Sequence, residues 1–260
     1  MMENRFFSDL SVMFGRSMRH VFRSMDTVIT VCLVPIAMML LFVYVFGGAI
    51  QTGAAGYVNY LLPGILLIAI ASGVSYTAFR LFADVQGGIF ERFRSLPIAR
   101  SAVLWGHVLT SLVSNAISVA VILLVALPMG FRSSAGVLSW LAAAGILALF
   151  TLALTWVAVI PGLTAKTVDG ANAFSYPLIF LPLISSAFVP TRTMPGPVRA
   201  FAEHQPVTSI VDAIRSLLAG QPVGNDIWAA LAWCAGILLA AYLFAMRAYR
   251  RRASGAAARA

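Results

Sequence analysis

Six predominantly apolar stretches, near 28–48, 60–82, 105–129, 136–160, 171–190 and 227–247, alternate with short polar segments along the chain. About 20 such residues are what one helical crossing of a bilayer's hydrocarbon core requires. The pattern predicts an all-α polytopic membrane protein with six transmembrane helices in one transmembrane domain, residues 28–250. Ahead of it, Phe7, Leu10, Phe14, Met18, Val21 and Met25 recur at three- and four-residue steps, with Arg5, Arg16, Arg19 and Arg23 mostly off that stripe. This periodicity predicts an amphipathic helix over 5–26, within an N-terminal segment 1–27, lying in the cytoplasmic membrane interface.

The fifth stretch carries Pro177 and Pro182, so its helix is expected to be broken and shielded in the bundle interior. Between it and the last span, Val207, Ile210, Val211, Ile214, Leu217 and Leu218 form a helical stripe that Gly220 ends. A short extracellular re-entrant helix is the expectation. The tail, 251–260, has no periodic apolar face and is expected to be a disordered cytoplasmic segment.

Composition removes the soluble alternative. Of 260 residues, 60% are hydrophobic and 10% charged, against roughly 45–50% and about 25% in soluble domains. The net charge of +9 does not indicate nucleic acid, because the basic residues sit in clusters between long uncharged runs. Arg5, Arg16, Arg19, Arg23, Arg80, Arg92, Arg94, Arg100, Lys166, Arg247, Arg250, Arg251, Arg252 and Arg259 fall on one side of a six-span layout. Only Arg132, Arg192, Arg199 and Arg215 fall on the other. By the positive-inside rule both termini are cytoplasmic, in a multi-pass protein of the cytoplasmic (inner) membrane, surrounded by membrane lipid. Cys32 and Cys234 both lie in apolar runs and give no disulfide framework. The N-terminus does not read as a secretory signal, since its first apolar run is too long for an h-region.

No catalytic constellation is legible. His20, His107 and His204 have no zinc-like spacing and no HExxH pair occurs, so no metal site is expected. The segment Gly162-Leu163-Thr164-Ala165-Lys166-Thr167 lacks the glycine of a P-loop, and Lys166 is the only lysine; it reads as a cytoplasmic turn. No carboxylate stands mid-span to drive ion-coupled transport. His107 reads as a structural histidine at the interface.

One cytoplasmic segment needs a partner. After the Gly87–Gly88 break, Ile89, Phe90, Phe93 and Leu96 form an apolar edge, Glu91, Arg92 and Arg94 line the other, and Pro97 stops the element. Such aromatic exposure is best relieved by docking into a groove of a separate protein.

These residues carry a resemblance. The run GIFERFRSLPIAR, Gly88 to Arg100, with Ser101, Ala102, Val103 and Gly106, resembles the region after the second span of type-2 ATP-binding-cassette export permeases, especially the daunorubicin/doxorubicin resistance branch. Met194-Pro195, Phe201-Ala202-Glu203-His204-Gln205-Pro206-Val207-Thr208, then Asp212, Arg215, Leu218 and Gly220, are similar to the segment before the last span in that branch. The resemblance implies a transmembrane subunit without its own ATPase. It would bind no cofactor, would pair with an ABC-type nucleotide-binding subunit that holds ATP and Mg, and would dimerise with a second permease subunit. Residues 5–26 would be its connecting helix. Residues 87–97, with Gly88, Ile89, Phe90, Glu91, Arg92, Phe93, Arg94, Ser95, Leu96 and Pro97, would be its coupling helix. Asp84 departs from the Glu-rich stretch of many family members, and no specific salt bridge is expected from it.

The expected function is outward export of an amphipathic drug, antibiotic or lipid, powered by the partner. The alternatives are a permease for a polysaccharide or teichoic-acid-like polymer, and a membrane-embedded lipid-modifying enzyme, for which no catalytic dyad is visible. By analogy with dimeric permeases, Ser72, Ser75, Tyr76 and Phe79 of the second span and Phe174, Tyr176 and Phe180 of the fifth are the expected substrate path. Their mix of rings and hydroxyls suits an amphipathic ligand, though the same residues could equally serve helix packing.

Overall fold

A computed structural model describes Gly15 and residues 25–48, 56–88 and 100–257 of the chain. The expected connecting helix therefore lies outside the described residues, apart from Gly15 and its last two positions. Every regular element among the described residues is helical. Five are long and apolar enough to cross a membrane. They are α1 (Met25–Leu40, continued by the π-helical turn Leu41–Phe46), α2 (Tyr57–Gln86), α3 (Arg100–Ala126), α4 (Val137–Thr164) and α9 (Asp226–Ala257).

The fifth apolar stretch is not one helix. It is divided into α5 (Val168–Asn172), α6 (Ser175–Phe180) and a 3-10 turn, Leu181–Ile184. Pro177 lies in the first turn of α6 and Pro182 in the first turn of the 3-10 segment. There the missing N–H costs no intrahelical bond, so each proline starts a new short element instead of kinking one long helix. The expected interior position holds on one side only. The segment packs on α2, but Tyr176 and Phe180 are largely exposed, because α2 already fills the centre. Of the tail 251–260, expected to be disordered, residues 251–257 continue α9 and 258–260 lie outside the described residues. Alanine and arginine rank among the best helix formers and extend the helix beyond its apolar part.

α2 is the central pillar. All its residues from Tyr60 to Ala71 are buried, enclosed by α1, α3, α4, the α5–α6 segment and α8 (Pro206–Leu218), which follows α7 (Gly196–His204). Glycines permit the closest approaches. A Cβ at Gly162 would lie 2.8 Å from Leu81 Cδ2 on α2, and one at Gly64 would lie 2.5 Å from Ala187 Cβ. A second packing cluster joins Leu81, Leu104, Trp156 and Ala245 towards the Arg100 end. In it Trp156 meets Trp105 and Tyr242 edge-on, with ring centroids 5.3 and 4.8 Å apart, a favoured aromatic geometry.

The stripe 207–218 is helical as expected, and its six apolar residues are all buried. Gly220 (φ +65°) ends it; Gln221 N–H donates to the Ser216 carbonyl at 2.9 Å, a Schellman-type closure. Ser133 Oγ and Ser134 Oγ donate to the carbonyls of Leu218 and Ala219, each at 2.7 Å, and satisfy the helix end.

Candidate functional site: a hydroxyl-lined cavity and two polar clasps

A cavity of about 470 Å³ opens between α1, α2 and the broken α5–α6 segment. Thr30, Val31 and Val34 come from α1; Ser72, Ser75, Tyr76 and Phe79 from α2; Val168, Asn172, Ser175, Tyr176 and Ile179 from α5–α6. It forms because the proline-broken segment cannot lie flush along α2. Of the residues expected along a substrate path, the structure brings together Ser72, Ser75, Tyr76, Phe79 and Tyr176. It leaves out Phe174, which is partly buried against the core, and Phe180, which faces outward. Asn172 and Ser175 escaped the sequence reading. Asn172 Oδ1 accepts from Ser75 Oγ at 3.3 Å, and Ser175 Oγ donates to the Asn172 carbonyl at 2.7 Å. Among the described residues no ionised side chain lines the wall, so the cavity offers ring faces and hydroxyls, the surface an amphipathic organic molecule needs.

At the Asp84 end of α2 the first clasp appears. Asp84 Oδ2 lies 3.1 Å from His107 Nε2 on α3, with the histidine nearly buried. Where no specific salt bridge was expected from Asp84, the structure gives it a specific hydrogen-bond partner in His107. Gln86 is the last residue of α2, Gly87 N–H caps the Ala83 carbonyl at 2.8 Å, and Gly88 takes φ +67°. Glycine alone adopts that conformation without strain. Ile89, Phe90, Glu91, Arg92, Phe93, Arg94, Ser95, Leu96 and Pro97 lie outside the described residues.

Between clasp and midspan, α3 and α4 share buried polar groups. Ser111 Oγ is 3.0 Å from Thr155 Oγ1, Asn115 Nδ2 donates to the Ser111 carbonyl at 2.9 Å, and Thr155 Oγ1 donates to the Thr151 carbonyl at 2.7 Å. Such bonds tie helices together in hydrocarbon, where association cannot rely on the hydrophobic effect.

The second clasp joins α8 to the loop after the broken span. The helical turn ends at Ile184, so the polar backbone groups that follow have no regular helical partners, and side chains at 3-4-3 spacing on α8 and its N-cap bind several of them. Gln205 Nε2 donates to the Ile184 carbonyl. Thr208 Oγ1 accepts from Ser186 N–H at 3.4 Å. Asp212 accepts from Ser186 Oγ at 2.7 Å. Arg215 binds Asp212, donates to the Ser186 carbonyl at 2.7 Å and the Tyr60 carbonyl at 3.1 Å, and stacks 3.8 Å over the Tyr60 ring. Further out, Arg199 Nε hydrogen-bonds Glu203 Oε1 at 2.7 Å and holds its carboxyl below the usual range. Among the described residues no group of three or more metal-ligating side chains forms.

Residues 8–219 match the ABC-2 type transporter family, and that match covers most of the chain. The chain belongs to the ABC-2 type transporter family. It is similar to the daunorubicin resistance ABC transporter permease protein DrrB1 of Streptomyces coeruleorubidus, at 30% identity over 228 residues, covering 86% of this chain and 80% of the relative. It is also similar to the probable doxorubicin resistance ABC transporter permease protein DrrC of Mycobacterium tuberculosis, at 27% identity over 234 residues, covering 88% and 83%. The chain is thus a membrane transport subunit, an ABC-2 permease, and not an enzyme. Within this permease, the clasp residues Gln205, Thr208, Asp212 and Arg215 come from the motif that carried the resemblance, and the structure gives them mutual partners.

Proposed function

We propose that this permease exports an amphipathic small molecule, a drug or antibiotic, through the cavity bounded by Ser72, Ser75, Tyr76, Phe79 and Tyr176, powered by ATP hydrolysis on a separate subunit. The observation that carries the reading is the composition of that wall, rings and hydroxyls without charge, in a homologue of permeases named for daunorubicin and doxorubicin resistance. The cavity's size favours a compact molecule over a polymer. On this reading the broken α5–α6 segment completes a sixth crossing, and α8 with its flanks dips into the outer leaflet. The termini and Lys166 face the cytoplasm, and residues 89–97 dock on the nucleotide-binding subunit, which holds ATP and Mg. The wide mouth between α1 and α6, with Ile29, Leu33 and Tyr176 exposed, suits closure by a second permease subunit.

The test is reconstitution with the candidate ATPase in proteoliposomes, following accumulation of a fluorescent anthracycline. ATP-dependent accumulation that Tyr76→Ala and Tyr176→Ala reduce severalfold supports the cavity. Uptake that needs no ATP, or is indifferent to both substitutions, removes it. Cysteines introduced at Gly196 and Ser254 test the orientation. Labelling of Ser254→Cys from outside the cell would reverse it.

A further inference from the structure

The cavity is closed at one end. Its outermost lining on α2 is Ser72, and eight residues further out, about 12 Å along the helix, the 185–188 loop crosses α2 at Gly64. There a Cβ would meet Ala187 at 2.5 Å and Phe188 at 3.5 Å. Every α2 residue from Gly64 to Ala71 is buried. Phe188 fills the crossing against Phe42, with ring centroids 4.6 Å apart, and Tyr57 Oη donates to the Phe188 carbonyl at 2.9 Å. On the way out, a molecule in the cavity meets this plug.

The plug is held in place by polar groups alongside the apolar packing of Ala187 and Phe188. Its backbone is a loop, so its carbonyls need partners that lipid does not supply. Arg215 brings three segments to one guanidinium: the loop through the Ser186 carbonyl, α2 through the Tyr60 carbonyl and ring, and α8 through Asp212. Asp212 in turn takes the Ser186 hydroxyl, so loop and helix are tied twice. Hydrogen bonds to charged groups are the strong ones, yet they exchange for water without a cavity being left behind. A contact that must break and reform once per cycle is better built this way than from interlocked apolar side chains alone.

We infer that Arg215 is a positioning residue of the transport step: it holds the 185–188 plug on Tyr60 and keeps the outward exit of the cavity shut. The inference rests on the cavity being the transport path, as proposed above. It assigns a role to Arg215 and Asp212 that their place in the family motif does not reveal.

The experiment is thiol labelling of Ser75→Cys, in the full chain with Cys32→Ala and Cys234→Ala, assembled with its ATPase in membrane vesicles of both orientations. A membrane-impermeant methanethiosulfonate is the probe. Without ATP, position 75 reacts from the Lys166 side and barely from the Gly196 side. Arg215→Gln raises the rate from the Gly196 side about tenfold or more, the weight of one hydrogen bond to a charged group, and leaves the other rate unchanged. Arg215→Lys, which cannot bridge both carbonyls in the same fork, gives an intermediate rate. Ser186→Ala, which removes only the hydroxyl arm, gives a smaller increase and serves if Arg215→Gln does not fold. A merely structural loss would lower thermal stability without altering the sidedness of labelling. Unchanged labelling from the Gly196 side in a folded Arg215→Gln or Ser186→Ala protein overturns the inference while leaving the cavity intact. Position 75 unreactive from both sides overturns the transport path itself, and the inference with it.

Discussion

Gly73 on α2 packs directly against the side-chain carbonyl of Asn115 on α3: a Cβ at position 73 would lie 2.2 Å from Asn115 Oδ1. Neither atom can yield easily, since Asn115 is buried and its Nδ2 is committed to the Ser111 carbonyl. Gly73→Ala therefore destabilises the bundle by about 1–3 kcal/mol, the usual cost of overpacking. Adding Asn115→Ala recovers most of that loss. Thermal unfolding of the three variants in nanodiscs checks this, and additive losses would show that the two positions are not coupled.

Asp84 and His107 form the clasp near the Gln86 end of the same helix pair. Asp84→Asn or His107→Gln is expected to cost about 2 kcal/mol of stability, as for hydrogen bonds to a charged partner. The exchanged pair, Asp84→His with His107→Asp, restores part of it. Chemical denaturation in mild detergent measures the cycle. A swap no better than the sum of the single variants would mean the two side chains act separately.

Phe93, outside the described residues, is the sequence's strongest candidate for a docking anchor. Truncating a central aromatic anchor costs roughly 2–4 kcal/mol of association, so Phe93→Ala is expected to lose the ATPase on co-purification. Phe201→Ala is the fitting control, because Phe201 is half exposed on Gly196–His204, a helix the docking reading does not involve. Retention of the ATPase by Phe93→Ala would place the aromatic edge elsewhere.

Glu203 gives a pH dependence with a definite sign. Its carboxyl is held low by the hydrogen bond from Arg199, so the stabilisation is present above the ordinary glutamate range and is lost as pH falls through the depressed value. Hydrogen exchange in Gly196–His204, corrected for the intrinsic pH dependence, should rise on acidification. It should do so less in Glu203→Gln, where the pair is already absent.

Five of the spans were legible because lipid imposes a length and a composition that few other constraints imitate. The break in the fifth stretch was equally plain from Pro177 and Pro182. Five of the seven residues expected along a path share one cavity wall, because Ser72, Ser75, Tyr76 and Phe79 recur on one helical face and any helix laid beside it meets them together. Phe174 and Phe180 lie outside that wall because the break rotates successive short helices by angles no periodicity encodes. The Asp84–His107 pair and the Arg215 hub were out of reach for another reason. Each joins residues on separate elements, and the stripe 205, 208, 212, 215 is hidden in a helix whose apolar face dominates the pattern.

The enclosure of α2 also sets a schedule for biosynthesis. α2 enters the membrane early, yet α8, which covers part of it, begins about 120 residues after α2 ends. At roughly 5–20 residues per second, the ribosome needs on the order of 6–24 s to supply that cover. During this interval the faces of α2 destined for α4 and α8 lie against lipid or the insertion machinery. A nascent chain arrested soon after Gln86 should therefore be held by whatever first receives it, and released only when the last fifth of the protein arrives.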